Sequence, residues 1–157
     1  MRPLKKIFLI LLGVFVIAQF FKPEKNEGDI MSMKAFYEET KPTTEVKQIL
    51  ETACTDCHSN VTRYPWYNNI TPVNYWLAEH VNDGKKHFNM SNWVGNSVKR
   101  KDHKFEELIE MVEDKEMPLE SYTWVHADAK LTDAQIKAVV DWAKLVRMKY
   151  SLMPKPE

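Results

Sequence analysis

Cysteine is almost absent from this chain: there are two, Cys54 and Cys57, among 157 residues. A structural zinc site wants a second Cys or His pair at ligand spacing, and no further C-x-x-C and no H-x₃-H exists. No cysteine lies near the N-terminus, which argues against a lipoprotein anchor. Glycine (4) and proline (8) are sparse, and there is no repeat or low-complexity tract, so the chain reads as one ordinary domain. No alternation of period two is evident, which argues against a sheet. Neither a Ser/His/Asp arrangement nor a carboxylate pair stands out, so a hydrolase has no support. Net charge is also missing, but unevenly. Residues 1–22 hold four bases and no acid, leaving 18 bases against 22 acids, a net of −4, in the remainder. That balance gives no reason to expect nucleic acid as a partner.

What is present begins at the N-terminus. Arg2, Lys5 and Lys6 precede an apolar run, Ile7 to Phe21, interrupted only by Gly13 and Gln19. A basic start followed by an apolar stretch reads as an export signal. The run would extend about 22 Å as a helix, short of the ~30 Å bilayer core but usable with its flanks. Val16-Ile17-Ala18 is a poor cleavage site because Phe20 and Phe21 follow, which favours an uncleaved anchor. The expected location is the periplasmic side of the inner membrane, or the periplasm if the signal is removed. Residues 1–22 are thus a signal anchor or signal peptide. Residues 23–42 form a linker; the stretch Lys22 to Asp29 at its start is polar and broken by Pro23 and Gly28, and a short helix covers Met31 to Tyr37. Residues 43–152 are the domain proper.

From Thr43 onward the apolar residues recur at helical spacing, predicting an all-α bundle of about four helices. The first starts at Thr43 or Thr44 and buries Val46, Ile49, Leu50 and Ala53. Continuing that stripe brings Cys54 and Cys57 to the interior. The second is capped by Thr71, carries Pro72 in its first position and ends at Gly84, with His80 on its apolar face. A third runs from about Val98 to Asp114, with Phe105, Leu108, Ile109 and Val112 inward. The last opens on a capping box formed by Thr132 and Gln135, buries Ile136, Val139, Val140, Ala143 and Val146, and cannot pass Pro154.

Cys54-Thr55-Asp56-Cys57-His58 carries the chemistry. Two thiols at this spacing, followed at once by histidine, suit covalent attachment of one haem c, with the imidazole as fifth ligand to iron. A redox dithiol, which wants a strand before the motif, or a structural disulfide is the competing reading. Met117, in Glu116-Met117-Pro118, is the candidate sixth ligand, projected from a loop where Pro118 stops the helix. His80 and His126 are alternatives. Tyr64 and Trp66 belong to a group of aromatics, with Tyr67, Tyr75, Trp76 and Trp93, that a porphyrin face would occupy. The carbonyl of Pro65 or a neighbour is expected to accept from His58, and Arg63, Lys85 and Lys86 to meet the haem propionates.

The motif Cys54-x-x-Cys57-His58, the Met117-Pro118 pair and the helix opening Leu131-Thr132-Asp133-Ala134-Gln135-Ile136 resemble class I cytochromes c. The stretch from Thr43 to Trp142 is more closely similar to the small haem-binding domain family of exported bacterial proteins. It shares Cys-x-x-Cys-His-Ser-Asn, Tyr64-Pro65-Trp66-Tyr67, His80-Val81-x-x-Gly84, Phe88-Asn89, Trp93, Glu116-Met117-Pro118, Tyr122 and His126. The resemblance implies thioethers at Cys54 and Cys57, His58 as proximal and Met117 as distal ligand. It implies an electron carrier rather than an enzyme, served by haem-attachment machinery and exchanging electrons with redox proteins of the cell envelope. A haem sensor, a gas binder or a weak peroxidase would follow instead from an open or labile distal site.

Overall fold

A computed structural model describes residues 3–153; Arg2 of the basic start and Pro154, expected to end the last helix, lie outside the described residues. Among the described residues there are eight α-helices: α1 (Pro3–Ala18), α2 (Lys34–Thr40), α3 (Thr44–Ala53), α4 (Thr55–His58), α5 (Val73–His87), α6 (Val98–Glu113), α7 (Glu120–Thr123) and α8 (Asp133–Ser151). Short 3₁₀ turns join several of them. Among the described residues there is no strand, only an isolated bridge between Glu27 and Val61. The all-helical expectation holds. The four long segments read from periodicity correspond to α3, α5, α6 and α8. Helix α1 overlaps the apolar run and α2 the short helix expected over Met31 to Tyr37, while α4 and α7 are single turns that periodicity over a long window does not detect.

Local chemistry explains most boundaries. Thr43 caps α3 by accepting from the Val46 N–H (3.2 Å). The α8 box is complete: Thr132 Oγ1 accepts from the Gln135 N–H (3.3 Å), and Gln135 Oε1 accepts from the Thr132 N–H (2.9 Å). Two expected ends are different. Thr71 does not cap α5; its hydroxyl donates to Phe21 O (3.1 Å) and accepts from Asn74 Nδ2 (3.0 Å). Gly84 does not end α5, which continues to His87.

The core sits where α8 packs along α6, with α2 and α3 against them. Phe105 is fully buried, with ring centroids 5.2 Å from Trp142, 5.6 Å from Trp93 and 6.3 Å from Phe36. Phe36 comes from the segment read as linker, so that segment is part of the core. Trp142 and Tyr150 of α8 are buried there too.

Glu39 ties this corner together. Its carboxylate accepts from buried Lys101 Nζ (2.8 and 3.0 Å) and from Tyr150 Oη (2.7 Å). Burial pushes the Glu39 carboxyl up, but the hydrogen bonds from Lys101 and Tyr150 and the neighbouring lysine charges outweigh it and hold it below the usual range. A folded-state pKa below the unfolded one stabilises at pH values above the unfolded pKa, and that stability is lost as pH falls through the folded pKa. Glu39→Ala should therefore cost about 2–3 kcal/mol at pH 7, less than the ~3–5 kcal/mol of a wholly buried pair because Glu39 keeps some water. Urea unfolding at pH 7 and pH 3 checks this: the variant's deficit should shrink at the lower pH, and an equal deficit at both would refute the assignment.

The N-terminal helix stands apart. No residue of α1 is buried. With 16 residues it is not long enough to cross a membrane, and no other helix among the described residues is both long and apolar enough to do so. Its end is nevertheless joined to the domain, and so is the segment after it. The Asn26 N–H donates to Tyr64 Oη (2.6 Å), Asn26 Nδ2 to Ser59 O and Thr62 Oγ1 (2.9 Å each), and Lys85 Nζ to Asn26 Oδ1 (2.7 Å). The Gly28 N–H donates to Asn60 O (2.7 Å), an approach so close that a Cβ at Gly28 would fall 2.7 Å from that same oxygen. The polar stretch read as a linker is bound to the domain from Asn26 to Gly28.

Candidate functional site

The buried stripe of α3 runs directly into α4, so the chain that buries Leu50 and Ala53 delivers Cys54, Cys57 and His58 to the same side. There they line a cavity of about 690 Å³, within the ~300–1,000 Å³ of small-molecule and cofactor sites. Its remaining walls come from α5 (Trp76, His80, Gly84), from Phe88 and Met90, from α6 (Leu108, Met111, Val112) and from the loop carrying Met117, Pro118 and Leu119. Charged groups (Glu79, Asp83, Lys104, Glu107, Glu110) also contribute.

His58 is oriented by a backbone carbonyl. Its Nδ1 lies 2.9 Å from Phe88 O, and an acceptor there requires Nδ1 to carry the proton. Nε2 is then a lone pair, as a metal ligand must be. Burial holds the imidazolium below its ordinary pKa, partly offset by the backbone hydrogen bonds, so the ring is kept neutral. The expected Pro65 carbonyl is replaced by Phe88, thirty residues along. The chain leaving α5 makes this contact, and sequence spacing does not reveal it.

Burial, reinforced by Cys57, pushes the Cys54 thiol up to about 12; burial, reinforced by Asp56, pushes Cys57 up to about 11. Redox-active dithiols work the other way, through a lowered pKa. Both cysteines are free thiols. Among the described residues no group of three or more His, Cys, Asp or Glu is gathered as a metal-ion site, so the pair lacks the donors a zinc centre needs.

Asp56, inside the motif, is a residue that sequence reasoning missed. Its buried carboxylate accepts from Tyr122 Oη (2.8 Å), the Arg63 N–H (3.0 Å) and the Arg63 guanidinium (3.2 Å at both Nε and Nη2). Burial and the Asp56 hydrogen bond both push the Tyr122 hydroxyl up. Arg63 thus pairs with Asp56, while Lys85 donates to Asn26 and Lys86 to Asp83 (2.8 Å). The partners of Asp56 lie seven and 66 residues away, and no local signal announces them.

Gly84 faces α4. A Cβ there would fall 2.6 Å from Cys57 O and 3.0 Å from Cys57 Cβ. In an ordinary helix interior Gly→Ala stabilises by up to ~1 kcal/mol. Here the overlap should reverse the sign, and Gly84→Ala is expected to destabilise by about 1–3 kcal/mol, the usual range for overpacking. Urea denaturation decides it; a variant as stable as the parent would disprove the close contact.

Met117 lines the cavity, but Pro118 does not end α6. Lys115 does, at φ 60°, with its N–H donating to Val112 O (3.2 Å) and the Glu116 and Met117 N–H groups donating to Met111 O (2.9 and 3.0 Å). This closure folds Met117 back beside the helix. His80 also lines the cavity, its Nδ1 held by Trp76 O (2.8 Å). His126 does not; its Nε2 is 2.8 Å from Tyr67 Oη and its ring stacks on Tyr122. Tyr64 and Trp66, expected against the cofactor, are not part of the cavity wall either. Tyr64 holds Asn26, and Trp66 is 76% exposed. Of the aromatic group only Trp76 reaches the cavity, while Trp93 is in the core.

The size of the cavity, its apolar walls, a neutral imidazole with a free nitrogen and a thioether fit a haem. Fold and site together define an all-helical protein built around a cofactor-sized pocket with donors suited to iron. Residues 13–145 match the model of the haem-binding domain family, and the chain belongs to that family. The match begins thirty residues before Thr43, where the quoted motifs start, and so takes in the end of α1 and the bound-down segment. Neither the curated proteins nor the solved structures contain a significant match.

Proposed function

We propose that this protein is an exported, membrane-tethered carrier of single electrons, with one haem attached through Cys54 and Cys57. Haem, when bound, supplies one-electron exchange between ferric and ferrous iron. The chain's own part is binding and tuning. Cys54 and Cys57 would hold the group, His58 Nε2 would ligate it from one wall, and Met117 Sδ would be its second ligand, a soft donor that favours the reduced state. The Phe88 carbonyl fixes the His58 ring, the Asp56–Arg63–Tyr122 network holds the motif's turn, and the apolar walls exclude water. No residue is assigned bond chemistry, in keeping with the resemblance to class I cytochromes c. The observation that carries the reading is the meeting of Cys54, Cys57, His58 and Met117 on a single cavity of about 690 Å³.

Export and anchoring are supported by a basic start and an apolar α1 of which no residue is buried. Redox proteins of the cell envelope would be the partners. A second reading, a sensor, gas binder or weak peroxidase, is favoured by His80, which lines the same cavity with Nε2 uncommitted. The test is an optical spectrum of protein produced with haem-attachment machinery, followed by acid–acetone extraction. Retained pigment with low-spin bands is the expected result. Retained pigment with high-spin bands would transfer the assignment to the second reading, and no retained pigment would refute covalent attachment and with it the proposed carrier.

A further inference from the structure

The end of α1 is fastened to the domain. Gln19 Nε2 donates to Thr71 O (3.1 Å), the Thr71 N–H donates to Gln19 Oε1 (2.9 Å), and Thr71 Oγ1 donates to Phe21 O (3.1 Å). Five residues later Asn26 is bound to Tyr64, Ser59, Thr62 and Lys85. No slack chain separates the apolar helix from the domain. The helix is also short: 16 residues extend about 24 Å, against ~30 Å of hydrocarbon. A short anchor without a spacer draws whatever is attached to its end into the interface.

The surface at that junction suits such a position. Phe20 and Phe21 are 83% and 64% exposed, and the segments flanking Thr71 present Trp66 (76%) and Tyr75 (47%). Lys22 follows at once. Exposed aromatic rings beside a cation are the composition of a membrane–water interface, where the rings sit at headgroup level and the cation meets anionic lipid.

We infer that the domain rests directly on the bilayer, with Phe20, Phe21, Trp66 and Tyr75 seated among the lipid headgroups, and is not suspended above it on a tether. Trp76 lines the cavity from the first turn of α5, immediately after Tyr75, so this contact sets the height of the cavity above the membrane. The inference rests on the anchoring proposed above, and its test separates the two.

The haem-loaded full-length protein is reconstituted in phosphatidylethanolamine–phosphatidylglycerol vesicles doped with a lipid bearing a photoactivated diazirine near its headgroup, and labelled residues are mapped by mass spectrometry. Leu145 and Met148 of α8, 62% and 55% exposed, are the comparison. The expected result is labelling of Phe20, Phe21, Trp66 and Tyr75 several-fold above Leu145 and Met148. Labelling confined to α1 and Phe20–Phe21, with Trp66 and Tyr75 no higher than α8, would overturn the seating and leave the anchor intact. Protein that washes off the vesicles unlabelled would overturn the anchor and the seating together.

Discussion

Changing Cys54 and Cys57 together to serine should yield protein from which acid–acetone removes all haem, where the parent retains all of it. The expected difference is complete because a thioether is covalent, whereas the remaining contacts are an imidazole, a thioether ligand and apolar packing, which acid and organic solvent disrupt. The measurement is the absorbance of the precipitate and of the extract, with a single Cys57→Ser variant as an intermediate that keeps one attachment. Pigment left on the double variant would refute attachment at these cysteines. The same substitution should leave the all-helical fold recognisable by circular dichroism, since the Phe36–Phe105–Trp93–Trp142 cluster lies in the core rather than on the cavity wall.

Met117→Ala is expected to abolish a sulfur–iron charge-transfer band at the red end of the oxidised spectrum, to lower the reduction potential, and to allow fast, complete carbon monoxide binding by the reduced protein. A thioether would stabilise ferrous iron, and with it gone His58 would be the remaining protein ligand, leaving the iron free to take up carbon monoxide. The stability cost should be the smaller effect, because Met117 is only partly buried and packs at the edge of the core cluster. An unchanged spectrum would exclude Met117 and point to Met111 or His80, which line the same cavity.

Much of this site is legible in the sequence because it is local. Cys54, Cys57 and His58 lie within five residues, and the helical stripe from Val46 to Ala53 continues into them, so neighbours along the chain become neighbours on the cavity wall. Met117 is legible through its proline, although the device that ends α6 is the left-handed Lys115, a position where glycine is the usual occupant. The misplacements share a cause. Tyr64 and Trp66 are aromatic beside the motif, and aromatic character alone does not say which way a ring points. Arg63 reads as a free cation until a carboxylate seven residues back is found to face it. Gly84 reads as a helix end because glycine usually marks one, whereas here it marks a close approach to Cys57.

By itself the sequence determined the helical class, the caps of α3 and α8, the grouping of Cys54, Cys57 and His58 and the apolar N-terminus, all features whose physics acts within a few residues. Only the tertiary structure decided that Phe88 orients His58, that Asp56 is held by Arg63 and Tyr122, that Phe36 belongs to the core, and that the polar stretch after α1 is bound to the domain. Those contacts join residues tens of positions apart. Their energies depend on which side chains the packed helices bring within hydrogen-bond distance, and periodicity carries no information about that.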